Sequence, residues 1–257
     1  IPEQNIKNEE VVINIVEGQV AEVVAENNEL YSTHTLTRAI RPSLGLAANK
    51  DNIESAMLHL NDYPGVETNA IFSPGEKLGT TRITINTKEE QDYQGSINFD
   101  NFGNEFTGEY RLRGRLIANN LADLADRLQL DLLQTFAPSN STYWAINYSL
   151  PVWLNGLIAG VALSNNAYVV GDIFTDLDLD GSSQLIDIFG RYNFQRSRVN
   201  NLYTRFGLTI KNAESGGGGS QLETRDDLNV LYTSIGFDGD DTLLLGRHAG
   251  EFVLSHG

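Results

Sequence analysis

The sequence predicts two units in series: an α+β domain with the element order β-α-α-β-β, and after it an antiparallel β-sheet of about nine strands. In two stretches before residue 92, apolar residues and capping signals have the arrangement of helices, and short strand-like segments flank them. From Tyr93 onward, segments of about ten residues alternate apolar and polar side chains, one after another. The second unit is therefore predicted to be a β-meander.

The first unit begins with strands. Residues 9–18 and 19–27 are rich in β-branched side chains and predict two short strands with a break at the glycine between them. Ser32 or Thr33 can then cap a helix. This helix is predicted to end at Arg41, because the proline that follows cannot continue it.

A second helix and two strands complete the first unit. Asn49 or Asp51 can cap the helix, and Pro64-Gly65 stops it. Its apolar residues recur on one face, which is predicted to be buried: Ile53, Ala56, Met57 and Leu60. Residues 66–72 and 80–87 predict two strands joined by a turn that contains proline and glycine.

The second unit has the period of a strand, in which side chains alternate between two faces. In the stretch 107–116 one face is apolar, and the other carries Arg111, Arg113 and Arg115. Nine segments of this kind are predicted to be strands: 94–102, 108–118, 126–136, 142–150, 156–165, 183–194, 201–211, 225–237 and 249–256.

Two environments produce a sheet with one apolar and one polar face. A soluble barrel or sandwich encloses the apolar face, whereas an outer-membrane barrel turns it toward lipid around a polar lumen. The period does not separate these alternatives. Several predicted connections are short, but those at 137–142, 166–182 and 212–224 are mostly longer and polar. Short turns on one rim and long loops on the other favour the outer-membrane barrel.

Composition argues against several classes of function. The chain has 34 acidic and 18 basic residues, so we expect no nucleic-acid partner. It has no cysteine, and its four histidines are scattered. Neither of the glycine-rich phosphate-binding motifs GxxxxGK(S/T) and GxGxxG occurs. We therefore expect no metal, nucleotide or other cofactor, assign no catalytic residue, and predict a protein that is not an enzyme. No apolar run approaches the ~20 residues of a membrane-spanning helix.

One acidic stretch has the spacing of a calcium-binding EF-hand loop, at Asp176, Asp178, Asp180, Gly181 and Asp187. The last position holds Asp in place of the bidentate Glu, Ser183 occupies a position that is usually apolar, and the flanking segments are predicted strands. We therefore favour a solvated acidic loop.

Five motifs carry a family resemblance: IPEQNIKNEEVVINIVEG, LNDYPGV, SPGEKLGTTRITINTKE, FDNFGNEFTGEYRLRG and YNFQRSRVNNLYTRFGL. In this order and spacing they resemble the outer-membrane transporters of two-partner secretion, of the haemolysin-activator and filamentous-haemagglutinin type. The resemblance implies that residues 18–92 are a polypeptide-transport-associated (POTRA) domain. It also implies that residues 1–17 are the closing strand of a preceding POTRA domain and that residues 93–257 are the first part of a transmembrane β-barrel.

The implied function is translocation of an unfolded exoprotein across the outer membrane, with the POTRA domain in the periplasm and the barrel as the pore. The implied partners are the secretion domain of the exoprotein and outer-membrane lipid. Two other functions stay open: a barrel-assembly factor of the same superfamily, and a soluble β-rich binding protein.

The resemblance also implies two groups of site residues. The polar face is expected to line the pore with Arg111, Arg113, Arg115, Arg127, Asp131 and Arg205. The sheet order implied for the POTRA domain leaves one strand at the edge, with residues Val66, Glu67, Thr68, Asn69, Ala70, Ile71 and Phe72, beside the helix residues Ile53, Met57 and Leu60. An edge strand binds extended backbone by β-augmentation. Proline at Thr68 or Asn69, depending on register, is expected to weaken that binding.

Family features that are missing from the sequence predict an interior piece of a longer protein. These features are further barrel strands, a plug helix, a complete first POTRA domain and a Val-Arg-Gly-aromatic hairpin. The glycine-serine stretch 215–220 is interpreted as an engineered linker in preference to a natural loop.

Overall fold

The computed structural model describes residues 18–137, 141–152, 156–218, 223–241 and 246–257. The first unit contains β1 (Gln19–Glu26), α1 (Thr33–Thr37), α2 (Lys50–Asn61), β2 (Val66–Pro74) and β3 (Thr80–Glu89), with a 3-10 helix at Arg41–Ser43. The second unit contains β4 (Tyr93–Asp100), β5 (Tyr110–Asn119), β6 (Arg127–Phe136), β7 (Ser141–Pro151), β8 (Leu157–Val169), β9 (Asp180–Arg196), β10 (Asn200–Gly216), β11 (Thr224–Asp240) and β12 (Arg247–His256), with a 3-10 helix at Asp172–Leu177. The predicted strand at 9–18, like the assignment of 1–17 as a closing strand, falls outside the described residues except at Gly18.

The β-α-α-β-β order of the first unit is confirmed. Its strands form a small sheet in the order β1-β3-β2, in which β1 runs parallel to β3 and β2 runs antiparallel. Strand β2 therefore lies at an edge, as the resemblance implied. We refer to this unit as the α+β domain.

Both helices begin at a predicted cap. The hydroxyl of Ser32 accepts a hydrogen bond from the Thr35 N–H at the start of α1, and the side chain of Asn49 accepts one from the Asp51 N–H at the start of α2. The first helix is shorter than predicted, because α1 ends at Thr37 and a separate 3-10 turn follows before Leu44. Pro42 lies in the first turn of this 3-10 helix, where its missing N–H is not required.

The core of the α+β domain lies between the helices and the small sheet. The predicted apolar face of α2 is buried, with Leu60 fully inaccessible to solvent. It packs against Ile83 and Ile85 of the central strand β3, which are also fully inaccessible. Burial of such side chains stabilises by about 1.5 to 3 kcal/mol each, so this core holds the edge strand β2 in place.

Within the described ranges, nine strands form a second sheet, which we call the large sheet. They follow one another in chain order from β4 to β12, and each pair is antiparallel, which confirms the predicted meander. No helix in the described ranges is long and apolar enough to cross a membrane.

Strands β9, β10 and β11 are longer than predicted, at 17 residues each. The prediction of a loop at 212–224 is wrong at residues 212–216 and 224, because these residues belong to β10 and β11, which pair as far as Ser215 opposite Thr224. Ser215 and Gly216 of the predicted linker lie in β10, whereas positions 219 and 220 fall outside the described residues. Polar side chains in this hairpin did not prevent pairing, because backbone groups alone form the ladder.

The two faces of the large sheet differ as the alternation predicted. Side chains on the apolar face are largely exposed, including Ile97, Phe99, Leu231 and Phe252, which range from 64 to 80% exposed. The two clusters of buried apolar residues in the described chain lie in the α+β domain and at Ala125. The large sheet therefore does not place its apolar face in a core, as a soluble barrel or sandwich does.

Candidate functional site

The backbone register places all six predicted pore-lining residues on one face of the large sheet. Arg111, Arg113 and Arg115 alternate along β5, and Arg115 lies directly opposite Asp131 of β6. The pairing row from Arg127 crosses β7, β8 and β9 and reaches Gly207, two residues along β10 from Arg205. Because residues two apart share a face, Arg205 belongs to the same face.

Carboxylates partner the arginines on β5. Arg111 Nε lies 2.6 Å from Asp100 Oδ1, and Arg113 Nε lies 4.0 Å from the second oxygen of the same carboxylate. Arg115 Nε lies 2.5 Å from Asp131 Oδ1, while the Gln129 amide donates to the other oxygen at 2.6 Å. Cross-strand pairs of this kind fix the arginine side chains against the wall of the sheet.

A second polar cluster lies on β9 to β12. The guanidinium of Arg191 stacks over the Tyr203 ring at 4.3 Å, and that of Arg205 lies 5.4 Å from the same ring. Arg205 also lies 3.9 Å from Glu251, whose carboxylate accepts a hydrogen bond from Ser234. The polar face thus carries both signs of charge, partnered across strands.

The acidic stretch with EF-hand spacing is not folded as one loop. Asp187 lies within β9, where its carboxylate accepts hydrogen bonds from Thr209 and Tyr232 on the polar face. Asp180 begins the same strand, so it and Asp187 are separated by an extended backbone. An EF-hand loop has to curl around its ion, and a strand does not.

The direction of backbone groups along β2 follows from its ends. The Gly65 carbonyl accepts from the Glu90 N–H, and the Gly75 N–H donates to the Thr80 carbonyl, so odd-numbered positions bond toward the body of the sheet. Backbone direction alternates along an antiparallel strand, so even-numbered positions between them point away from β3. Thr68 is therefore the outward-pairing position, and Asn69 is not.

The outward groups of Thr68 are already bonded within the domain. The Asn61 side chain, at the end of α2, accepts from the Thr68 N–H at 2.5 Å and donates to the Thr68 carbonyl at 3.1 Å. The backbone N–H and C=O groups of Ala70 and Phe72 also point away from β3. In the described part of the chain β2 pairs with no strand other than β3. Sequence reasoning did not assign a role to Asn61, although it lies in the motif LNDYPGV.

Burial narrows the predicted client-binding surface. Ile53, Met57 and Leu60 are core residues and offer no side-chain surface to a client, which corrects that part of the prediction. The physical reason is that their helical stripe packs against the small sheet. Side chains on β2 fall into three groups: Val66 and Thr68 are buried, Ala70 is partly buried, and Glu67, Asn69, Ile71 and Phe72 are exposed.

The turn between β5 and β6 docks the large sheet onto the α+β domain. Ala125 of this turn is buried in a cluster with Tyr31, Leu36 and Val66. The Asn120 amide donates to the Leu30 carbonyl at 2.5 Å. Ala125 has a left-handed backbone conformation with φ of 59°, which costs an alanine about 1 kcal/mol and persists because the surrounding contacts fix it.

Asp123 of the same turn bonds to the start of α1. Its carboxylate accepts from the Ser32 N–H at 3.1 Å and lies within reach of the Thr35 hydroxyl. Partial burial acts to raise the pKa of Asp123, but the hydrogen bonds from Ser32, Asn120 and Thr35 outweigh burial and lower that pKa below its usual value. The turn therefore presents an ionised carboxylate to the α+β domain at neutral pH.

Two ion pairs join α2 and the residue that follows it to the end of β9 and the turn after it. Arg196 donates to both oxygens of Asp62, at 2.8 and 3.0 Å, in a bidentate pair. Arg198 Nε lies 3.0 Å from Glu54 Oε1. Both arginines belong to the motif YNFQRSRVNNLYTRFGL, which carried the resemblance but gave no sign of their partners.

His59 lies between these ion pairs and the turn between β7 and β8. Its ring packs so closely on Gly156 that a Cβ added there would lie 2.9 Å from His59 Cε1, and Gly156 has a positive φ of 88°. Burial lowers the pKa of His59, and the charge of Arg196 lowers it further, against the opposing effect of Asp62.

A cavity of about 280 Å³ adjoins His59. Residues of both units line it, with Arg38 from the α+β domain and Arg127 from the large sheet among them.

The profile of one protein family matches residues 79–238 of the chain, which is more than half of it. The family is described as the haemolysin secretion/activation protein ShlB/FhaC/HecB. The chain belongs to the ShlB/FhaC/HecB family.

Relatives of this ShlB/FhaC/HecB chain are transporters by name. It is 26% identical over 246 residues to the heme/hemopexin transporter protein HuxB of Haemophilus influenzae strain 86-028NP, covering 95% of this chain and 43% of that protein. It is also 26% identical over 164 residues to the outer membrane transporter CdiB of Dickeya dadantii strain 3937, covering 58% of this chain and 29% of that protein. The chain thus spans less than half the length of these relatives.

A solved structure shares the fold. CdiB from Escherichia coli superposes with a TM-score of 0.78 at 21% sequence identity, over 93% of this chain and 45% of that one. The likeness covers the α+β domain and the large sheet together. It confirms the predicted fold class for this ShlB/FhaC/HecB chain: a POTRA-type domain followed by barrel strands.

The two faces of the large sheet are expected to meet different solvents. In the full-length protein reconstituted in a bilayer, spin labels at Leu130, Ile186 and Leu208 should be accessible to oxygen in lipid. Labels at Arg113, Arg127 and Arg205 should be accessible to a water-soluble relaxation agent. Mixed accessibility within either set would contradict the register, because a slip of one residue exchanges the faces.

The bidentate pair at the junction is expected to stabilise docking of the α+β domain on the sheet. Arg196→Asp should raise the undocked population, and adding Asp62→Arg should restore docking, with a coupling energy of about 1 kcal/mol because both side chains are partly exposed to solvent. Interspin distances between the two units measure this population. The matched control is Arg225→Asp, which breaks an exposed pair with Glu214 near the hairpin of β10 and β11.

Docking is also expected to depend on pH through His59. Its pKa is lowered in the docked state, so docking favours the neutral ring and is fully present above the ordinary value of 6.5. As pH falls through that value toward the lower docked pKa, docking should weaken. The same interspin distances between pH 7.5 and 5 measure the effect, and His59→Gln should flatten it. An equal pH dependence in His59→Gln would assign the effect to other groups.

Proposed function

We propose that this chain forms part of an outer-membrane transporter that moves an unfolded exoprotein through its pore in two-partner secretion. In this proposal residues 18–92 are a periplasmic POTRA domain and residues 93–257 are the first strands of the barrel. One observation carries the proposal: a domain with an edge strand is docked at the rim of a sheet that has one exposed apolar face and one charged face. The family description and the names of the relatives agree with it.

The exposed apolar face is suited to lipid. Large apolar side chains on a sheet face carry no penalty in hydrocarbon, whereas in water they favour aggregation. The partnered arginines and carboxylates on the other face are suited to a water-filled lumen, in which Arg111, Arg113, Arg115, Arg127, Asp131 and Arg205 would line the pore. Strands β4 and β12 lie at the edges of the large sheet in the described chain, so closure in a bilayer requires further strands to pair with them.

The edge strand β2 is suited to an unfolded client. A chain in transit offers extended backbone without a fixed side-chain pattern, and outward N–H and C=O groups bind such backbone whatever its sequence. Ala70 and Phe72 supply these groups, with the exposed side chains of Ile71 and Phe72 beside them. Because the domain is bonded to the sheet through Asn120, Asp123 and Asp62, a client held at β2 stays near the rim of the barrel.

The alternative of a soluble β-rich binding protein is disfavoured, because in the described chain the apolar face of the large sheet is not enclosed. A barrel-assembly factor has the same architecture and differs in its client. Comparing binding of an exoprotein secretion domain with binding of a barrel-strand peptide separates the two functions, since an assembly factor should prefer the strand peptide.

Phe72→Pro is expected to weaken client binding, because it removes an outward N–H from β2 without interrupting the pairing with β3. In the full-length protein, affinity for the exoprotein secretion domain should fall by about five- to tenfold. Fluorescence anisotropy measures the affinity, and circular dichroism checks the fold. The matched control is Phe72→Ala, which removes the ring and keeps the N–H. Equal affinities of the proline and alanine variants would place the client away from this edge.

A further inference from the structure

The side chain of Asn61 occupies the place of a partner strand at Thr68. Its oxygen accepts from the Thr68 N–H at 2.5 Å and from the Thr68 hydroxyl at 3.1 Å, while its nitrogen donates to the Thr68 carbonyl at 3.1 Å. A primary amide carries the same donor and acceptor as a peptide group. Asn61 therefore gives Thr68 the two bonds that the backbone of an added strand would give it.

The chain geometry around Asn61 makes this contact local and exchangeable. Asn61 is the last residue of α2, and the turn through Pro64 and Gly65 brings the chain back into β2, so only seven positions separate the two partners. Asn61 lies at the surface of the domain, whereas the Thr68 side chain is buried. Water or another peptide group can replace an exposed amide at little cost.

The contact divides the outward edge of β2 into two parts. At Thr68 both backbone groups are bonded to Asn61. At Ala70 and Phe72 the outward groups face no strand of the described chain, and Pro74 ends β2 without an N–H. With Asn61 in place, an incoming strand has only the short second part of the edge to pair with.

We propose that Asn61 is an internal competitor of the client: a strand that pairs along the whole of β2 has to displace the Asn61 amide from Thr68. This inference rests on the proposed function of β2 as the client edge. Competition keeps binding weak enough for a chain in transit to leave, and it protects the edge from pairing with other strands while no client is present.

A purely structural role makes the opposite prediction. If Asn61 served only to tie α2 to β2, its removal would loosen the edge strand and leave client affinity unchanged or reduced. If Asn61 competes with the client, its removal frees two backbone groups that the client can use. The direction of the change in affinity therefore separates the two roles.

The experiment measures binding of a permanently unfolded chain, reduced and carboxymethylated α-lactalbumin, to the full-length protein in nanodiscs. We expect Asn61→Ala to tighten binding by about tenfold, from the two hydrogen bonds that no longer compete. Asn61→Asp keeps the acceptor and loses the donor, so its affinity should lie between those of Asn61→Ala and the parent. Asn69→Ala is the matched control: it removes an exposed asparagine from the same strand and should leave affinity unchanged.

Amide hydrogen exchange at Thr68 supplies a second readout. Without the probe, protection at Thr68 should fall in Asn61→Ala, and saturating probe should restore it. If Asn61→Ala does not fold, the affinity of Asn61→Asp decides the question, because this variant keeps the acceptor for the Thr68 N–H and loses only the donor to the Thr68 carbonyl. Unchanged or weaker binding of the folded variant, or no recovery of protection, would overturn the proposal.

Phe72→Pro, tested with the same probe, keeps the failure of this inference distinct from failure of the proposed function. If Phe72→Pro weakens binding and Asn61→Ala does not tighten it, the edge binds the client and Asn61 is not a competitor. If Phe72→Pro leaves binding unchanged, the client does not use β2, and the assignment of β2 as the client edge fails together with this inference.

Discussion

Backbone N–H and C=O groups at the edge of a sheet have to find partners, and this requirement shapes the molecule from end to end. The large sheet satisfies it internally by pairing each strand with its neighbours in chain order, which leaves β4 and β12 as its edges. In the small sheet β3 is paired on both sides, and β2 is left at an edge. Asn61 then partners Thr68 with a side-chain amide, so even this edge is partly occupied. The site that we assign to the client is the remainder.

The arginines on the polar face of the large sheet lie close to carboxylates of opposite charge. The chain has a formal net charge of −16, yet the polar face of the large sheet brings arginines against carboxylates at Asp100, Asp131 and Glu251. Paired in this way, the cations are held against the wall and do not project as a uniformly positive surface. If this face lines the pore that we propose, an unfolded chain can pass without binding it tightly, since a desolvated and unpaired charge would hold an opposite charge on the client strongly.

Docking of the α+β domain connects β2, the client edge in our proposal, to the large sheet. One turn of the sheet enters the core of the domain at Ala125. Arg196 at the end of β9 and Arg198 in the turn after it bind carboxylates on α2 and directly after it. His59 and Gly156 meet in a third contact. Because α2 also carries Asn61, the helix that holds the domain on the barrel rim is the helix that partners the edge strand. In our proposal, client binding and docking thus share one rigid element.

The sequence by itself determined what depends on neighbours along the chain. Strand period gave the meander and its two faces, the helix caps at Ser32 and Asn49 were predicted, and the resemblance implied the sheet order that leaves β2 at an edge. The spacing of Ile53, Met57 and Leu60 also predicted that they are buried, and this burial argues against their assignment to a client surface.

Only the tertiary structure decided which residues meet across distance: Asp62 with Arg196, Asp123 with Ser32, and Ala125 within a core formed by other elements. The tertiary structure also decided that the backbone N–H and C=O of Thr68 point away from β3 and meet Asn61, because the direction of a backbone group depends on which strand lies beside it. Local patterns record the period of an element, whereas contacts depend on how elements pack, and packing is absent from any short stretch of sequence.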